Sequence, residues 1–166
     1  LKKEYDKLSR DGFRVLAVAY KHIDSCKKYS VNDEVNLILK GYMGFLDPPK
    51  PSVKKVLSSL KGHGIEVKIL TGDNELVAKT ICDDLKVPVK KIIVGSDLTQ
   101  MSWTEVKQTV DETTIFARIT PEQKLDVIKA LKENGHVVGF GGDGVNDAPA
   151  LYEADVGISV DTGVDV

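Results

Sequence analysis

Two cysteines in 166 residues, Cys26 and Cys82, lie far apart and belong to no CxxC or Cys/His cluster. Neither a zinc site nor a disulfide framework is suggested, and a reduced intracellular setting fits. An excess of one charge is lacking as well: the formal net charge is −2, which gives no broad basic surface for nucleic acid or anionic membranes. Apolar runs stay far below the ~20 residues of a membrane helix. Leu1-Lys2-Lys3-Glu4 lacks a signal-peptide core, so the piece in hand is expected to be soluble. Repeats and low-complexity tracts are absent. What is present is ordinary globular material, 42% hydrophobic and 29% charged, long enough for one domain with a real core plus part of another. An opening Leu in place of Met reads as an excised fragment.

Residues 1–46 read as a small α/β piece, with a helix at Lys2 to Arg10, a strand at Phe13 to Tyr20 and a further apolar run at Val35 to Phe45. The polar stretch Lys21 to Asp33 between them reads as a loop. Residues 47–51, Asp47-Pro48-Pro49-Lys50-Pro51, form a hinge, because prolines donate nothing to a ladder and stiffen the backbone. From residue 52 to 166 strand and helix patterns alternate, which predicts a Rossmann-like parallel sheet flanked by helices. The expected strands are Ile65 to Leu70, Lys91 to Val94, Thr113 to Ala117, Val137 to Phe140 and Val156 to Val160. The expected helices are Val53 to Gly62, Glu75 to Leu85, Ser102 to Val110, Pro121 to Asn134 and Asp147 to Ala154.

Three loops carry residues suited to chemistry. The segment Gly142-Asp143-Gly144-Val145-Asn146-Asp147-Ala148-Pro149-Ala150-Leu151 places two acidic residues, Asp143 and Asp147, in a glycine-rich turn after a strand. Open α/β sheets bind ligands at the carboxyl ends of their strands, and an acidic turn there suits a metal cation such as Mg²⁺ acting beside a phosphate. Capping of the following helix by Asn146 or Asp147 is a second reading compatible with the first. Gly139, Gly141 and Gly144 also spell GxGxxG, but Asp143 would point an anion at a pyrophosphate, which weakens a dinucleotide reading.

Thr71-Gly72-Asp73-Asn74 also lies between a strand and a helix, where helix-start amides and the Thr71 hydroxyl make a phosphate seat. A plain Asp or Asn cap after a glycine turn explains the tetrapeptide equally well. The two loops are expected to converge on one edge of one sheet. In Thr120-Pro121-Glu122-Gln123-Lys124, Thr120 and Gln123 have capping-box spacing. Lys124 then sits where its charge opposes the helix dipole and calls for a counter-charge, a bound phosphate or Asp143, unless it is merely solvated. Arg14, on the first strand, reads alone as a solvent-facing side chain.

Thr71-Gly72-Asp73-Asn74, Phe116-Ala117-Arg118, Pro121-Glu122-Gln123-Lys124 and the acidic loop together resemble the phosphorylation domain of P-type cation-transporting ATPases, within the haloacid-dehalogenase-like superfamily. The resemblance covers residues 47 to 166, and residues 1–46 resemble the C-terminal edge of that family's nucleotide-binding domain. It implies Asp143 as Mg²⁺ ligand, with Asn146 and Asp147 holding the metal and phosphate loop. Lys124 would steady the phosphoryl oxygens, and Thr71 and Gly72 would contact the transferred group. Asp73 would face the nucleotide, and Arg14 would reach its phosphates from across the hinge. ATP and Mg²⁺ are the implied cofactors, and the implied context is the cytoplasmic part of an integral membrane protein, in a bacterial plasma membrane.

The family forms its aspartyl-phosphate on Asp-Lys-Thr-Gly-Thr, and these residues contain no such segment. Covalent catalysis needs that carboxylate, so the fragment alone is expected to be inactive. Its partners would be the membrane, actuator and remaining nucleotide domains of a longer chain. Without the aspartate's central strand the sheet should have a gap or unpaired edges, repaired by rearrangement or self-association. Leu46-Asp47-Pro48-Pro49-Lys50, Gly157-Ile158-Ser159-Val160-Asp161 and Val164-Asp165-Val166 resemble the magnesium-importing branch. The competing readings are a soluble phosphatase of the same superfamily, disfavoured by the lack of an Asp-x-Asp motif, and a non-catalytic nucleotide or metal sensor.

Overall fold

A computed structural model describes residues 2–23, 30–142 and 145–159. Helix α1 (Lys2–Arg10) leads through a tight turn into β1 (Arg14–Tyr20), which pairs antiparallel with β2 (Ile38–Phe45). The polar segment between these strands holds only a 3₁₀ turn at Val31–Asp33 among the described residues. One face of this ribbon is wet: Leu16, Val18, Met43 and Phe45, which share that face in the ladder, are exposed, and a lone two-stranded ribbon is marginal by itself.

The alternating part begins with α2 (Val53–Gly62) and continues through β3 (Ile69–Leu70), α3 (Glu75–Leu85), β4 (Ile92–Val94), α4 (Gly95–Gln100), α5 (Trp103–Val110), β5 (Ile115–Ala117) and α6 (Pro121–Glu133). It ends with β6 (Gly139–Gly142), α7 (Ala148–Glu153) and β7 (Val156–Ser159). The helix starts follow their sequence signals. Ser102 and Thr120 accept from the backbone amides of Glu105 and Gln123, each completing a capping box, and Asn74 caps α3 through Leu76. Helix α4 has no such cap and was not legible in the sequence.

The strands are parallel, as expected, but they form two sheets, in the orders β3-β5-β4 and β6-β7. The single sheet on which both loops were to converge is thus divided between β3 and β6. Residues 65–68, expected in the strand, lie outside any ladder, and Ile65 is exposed. Likewise β6 starts two residues later than its apolar run, leaving Val137 85% exposed. Both departures fall on strands at a sheet edge, where backbone groups lack a neighbouring strand on one side.

Helix α6 bridges the two sheets. Its Val127, Ala130 and Leu131 pack with Ile93, Val106, Val110 and Phe116 on the first sheet's side. Its Ile128 packs with Phe140 and Ala150 on the second, and Leu70 of β3 reaches both clusters. On the opposite side of β5, Ala78 and Cys82 of α3 cover Ile115 and Ala117. Phe116, Ile115 and Ala117 are fully buried, because a central parallel strand is covered on both faces.

Candidate phosphoryl-transfer site

The carboxyl ends of β3 and β5 are tied together beyond the last ladder pair. Thr71 N–H donates to the Phe116 carbonyl, Ile119 N–H to the Thr71 carbonyl and Arg118 N–H to the Asp73 carbonyl. Arg118 adopts φ 52° to make this turn, a left-handed conformation that is uncommon for a residue with a side chain. The Thr71 hydroxyl accepts the Asp73 amide at 3.0 Å, so the Thr71-Gly72-Asp73 turn closes on itself. Part of the helix-start donor set expected to seat a phosphate is therefore already used within the protein. The Asn74 cap is real too, since its Oδ1 accepts Leu76 N–H at 2.7 Å.

Asp73 is bonded to Arg14 across a long stretch of chain. The Arg14 guanidinium donates to Asp73 Oδ2 at 2.7 Å, and this hydrogen bond, reinforced by the carboxylate's charge, raises the already high arginine pKa. Arg14 is thus engaged at the loop. A second pair lies beside the first: Arg118 Nε donates to Glu75 Oε2 at 2.7 Å. Burial alone would raise the Glu75 pKa, but the Arg118 hydrogen bond and the helix-start amide outweigh it and hold the carboxyl below its ordinary range.

Lys124 and Asp147 make the third contact. Helix α6 starts directly after β5, and the Lys124 ammonium in its first turn donates to Asp147 Oδ1 at 2.6 Å. The two side chains retain 17% and 11% of their exposure. Among the described residues the counter-charge of Lys124 is Asp147. Asp147 occupies the N-cap position of α7, yet its carboxylate makes no cap bond. Gly142 makes this possible, because a Cβ there would lie 2.8 Å from Asp147 Cβ. Asn146 is exposed beside it. Asp143 and Gly144 lie outside the described residues, and with them the last glycine of the GxGxxG reading.

Two residues without an assigned role in the sequence reading belong here. Arg118 was quoted only as part of a motif, and Glu75 only as a helix start. A cation directly after a strand that neighbours the Thr71 loop was the available signal. Gln123 is a third such support: its Nε2 donates to the Gly95 carbonyl and to Thr99, locking α4 against the start of α6.

Among the described residues no three Asp, Glu, His or Cys side chains gather as a metal cluster. The donor chemistry still suits Mg²⁺, which takes hard oxygen ligands and is commonly held by one or two carboxylates. Asp147 offers such a carboxylate, buried beside the Lys124 ammonium. A groove of about 640 Å³ lies elsewhere, between α2 and the α3–β4 connection, lined by Lys54, Leu57, Lys61, Ile65, Val87 and Lys90. It holds none of the candidate residues. No described helix is long and apolar enough to cross a membrane.

The described residues thus form a parallel α/β unit with Thr71, Lys124 and Asp147 just beyond its strand ends. Residues 2–155 match the family model for haloacid dehalogenase-like hydrolases, and the chain belongs to that family. The chain is also 48% identical, along its whole length, to the magnesium-transporting ATPase, P-type 1, of Escherichia coli K12. It is 40% identical over 96% of its length to a calcium-transporting ATPase of Bacillus subtilis, and 35% identical over 98% to the cation-transporting ATPase pma1 of Synechocystis. It spans about a fifth of each relative, 18–19%.

Proposed function

We propose that these residues are the phosphoryl-handling portion of a P-type cation-transporting ATPase, the cytoplasmic part of a membrane protein that couples ATP hydrolysis to cation movement. Similarity along the whole chain to such ATPases carries this reading. The Lys124–Asp147 pair at the strand ends supports it. Magnesium is the proposed cargo, given the higher identity to a magnesium-transporting relative than to a calcium-transporting one.

In this reading Asp143 and Asp147 hold the catalytic Mg²⁺, with Asn146 shaping their loop. Bound there, Mg²⁺ supplies charge neutralisation to a phosphoryl group in transfer. Lys124 adds a fixed cation against the phosphoryl oxygens, Thr71 and Gly72 present a hydroxyl and an amide to the same group, and Asp73 faces the nucleotide. Arg14 binds the nucleotide's phosphates, so it must exchange at least part of its bond to Asp73 for them. Residues 1–46, 47–51 and 52–166 are proposed as the edge of a nucleotide lobe, a hinge and a partial phosphorylation domain.

The acceptor aspartate has to come from outside these residues, on a strand suited to the gap between β3 and β6. The piece alone is therefore proposed to form no phosphoenzyme and to mask its open edges by self-association. Incubation with Mg²⁺ and γ-labelled ATP should leave it unlabelled, and a hydroxylamine-sensitive phosphoprotein would refute this. Sedimentation should reveal dimers or larger species, and a strict monomer would count against the masking. In the full-length parent, Asp143→Ala and Lys124→Ala should abolish ATP-dependent Mg²⁺ uptake into vesicles, whereas wild-type ATPase activity without any cation uptake would defeat the transport reading.

A further inference from the structure

Helix α1 is held on α3 by polar bonds at both of its ends. Near its start, Tyr5 Oη accepts a hydrogen bond from Asn74 Nδ2 at 2.9 Å. The amide's orientation follows from its other bond: Oδ1 is committed to Leu76 N–H as the helix cap, which leaves Nδ2 to face the tyrosine. At its end, the Arg10 carbonyl accepts from the Thr80 hydroxyl at 3.0 Å. The one buried residue of α1 is Ser9, a small side chain that lets the helix approach closely.

The chain then has little freedom before it reaches Arg14. Asp11, Gly12 and Phe13 donate back to Lys7, Ser9 and Leu8. Gly12 turns through φ 84°, and a Cβ there would sit 3.4 Å from Thr80 Cγ2. Helix, turn and strand therefore move together, and where α1 sits on α3 decides where the Arg14 guanidinium ends up.

We propose that Tyr5 is a positioning residue: its hydroxyl, bonded to Asn74, seats α1 on α3 and thereby holds Arg14 beside Asp73. Asn74 and Asp73 are adjacent, so one end of the lever and its target belong to the same turn, and an error in the seating of α1 appears directly in the Arg14–Asp73 geometry. The proline segment at residues 47–51 is the only covalent link between this lobe and α2. The Tyr5 contact is one of the reversible attachments that fix the lobe, beside Thr80 to the Arg10 carbonyl and Arg14 to Asp73. Resting on the proposed function, the same bond sets the approach of Arg14 to nucleotide phosphates.

The test uses the whole chain, with ¹⁵N-labelled arginine. Arg14 held by Asp73 should show slow guanidinium rotation and separate Nη signals. Tyr5→Phe, which keeps the ring against Tyr42, should average those signals and speed amide exchange in α1 and β1 about five-fold, the value of one net hydrogen bond. Asn74→Ser keeps a cap for α3 but is too short to reach Tyr5, and should do the same. Protection in α5 and α6 should be unchanged, which a general loss of stability would not permit. Unchanged Arg14 signals in both folded variants would overturn the proposal. Sodium tripolyphosphate titrated with Mg²⁺ should draw Arg14 away from Asp73 in the wild type. If it does not, while both variants behave as stated, the phosphate reading falls and the positioning role stands.

Discussion

Lys124 Nζ lies 2.6 Å from Asp147 Oδ1, joining the first turn of α6 to the turn that precedes α7. This ion pair is the polar counterpart of the apolar bridge that α6 builds between the sheets. Removing one partner strands the other with little water around it. Lys124→Met is expected to cost about 2–4 kcal/mol, near the range for broken buried pairs. The double variant Lys124→Met/Asp147→Leu should lose less than the sum of its single changes, measured by urea unfolding and a double-mutant cycle.

Gly95→Ala is expected to destabilise by about 1–3 kcal/mol or more, as overpacking against backbone does. Its Cβ would fall 2.4 Å from the Arg118 carbonyl oxygen and 2.7 Å from Gln123 Oε1. Gly62→Ala is the contrasting change: it lies in α2 with nothing within 4 Å of its Cβ, and should raise stability by about 0.5–1 kcal/mol through helix propensity. Thermal unfolding of the two variants should move in opposite directions.

Phe116→Ala should cost about 3–5 kcal/mol, the usual range for an aromatic removed from a core. Phe116 is fully buried at the middle of the β3-β5-β4 sheet and packs on α6. Denaturant titration followed by far-ultraviolet circular dichroism measures the loss.

Glu75 couples stability to acid. Its folded pKa is depressed, with Arg118 and the helix-start amide overcoming the effect of burial. Its stabilisation is therefore complete above the unfolded glutamate pKa, about 4.3, and is lost as pH falls through the lower folded value. Glu75→Gln should lower the melting temperature at neutral pH and flatten its decline in acid. Melting curves recorded from about pH 6 to about pH 3 bracket that window; an acid limb as steep as the wild type's would refute it.

Much of the architecture was written locally. Thr120 with Gln123 announced the start of α6, because capping is decided by side chains three positions apart. The strands at β4 and β5 shortened by one or two residues, as element ends commonly do. Helix α4 escaped notice because it lacks a side-chain cap and is held by Gln123 from α6, a contact of 28 positions' separation. The strand at 65–70 lost its first four residues for a similar reason. Its apolar pattern is sound, but a ladder needs a neighbour, and β5 reaches only Ile69 and Leu70.

The sequence by itself determined the class of fold, the candidate loops that follow the strands and the need of Lys124 for a counter-charge, because periodicity, turn residues and helix-end electrostatics act over a few positions. Only the tertiary structure decided that Asp147 supplies that charge, that Arg14 is bound to Asp73 and that the parallel strands divide into two sheets. Each of these depends on which distant segments are brought within a few ångströms, and that is set by how α6 and α3 pack their apolar faces on β5. The pattern along the chain states what each segment requires; packing selects which segment meets the requirement.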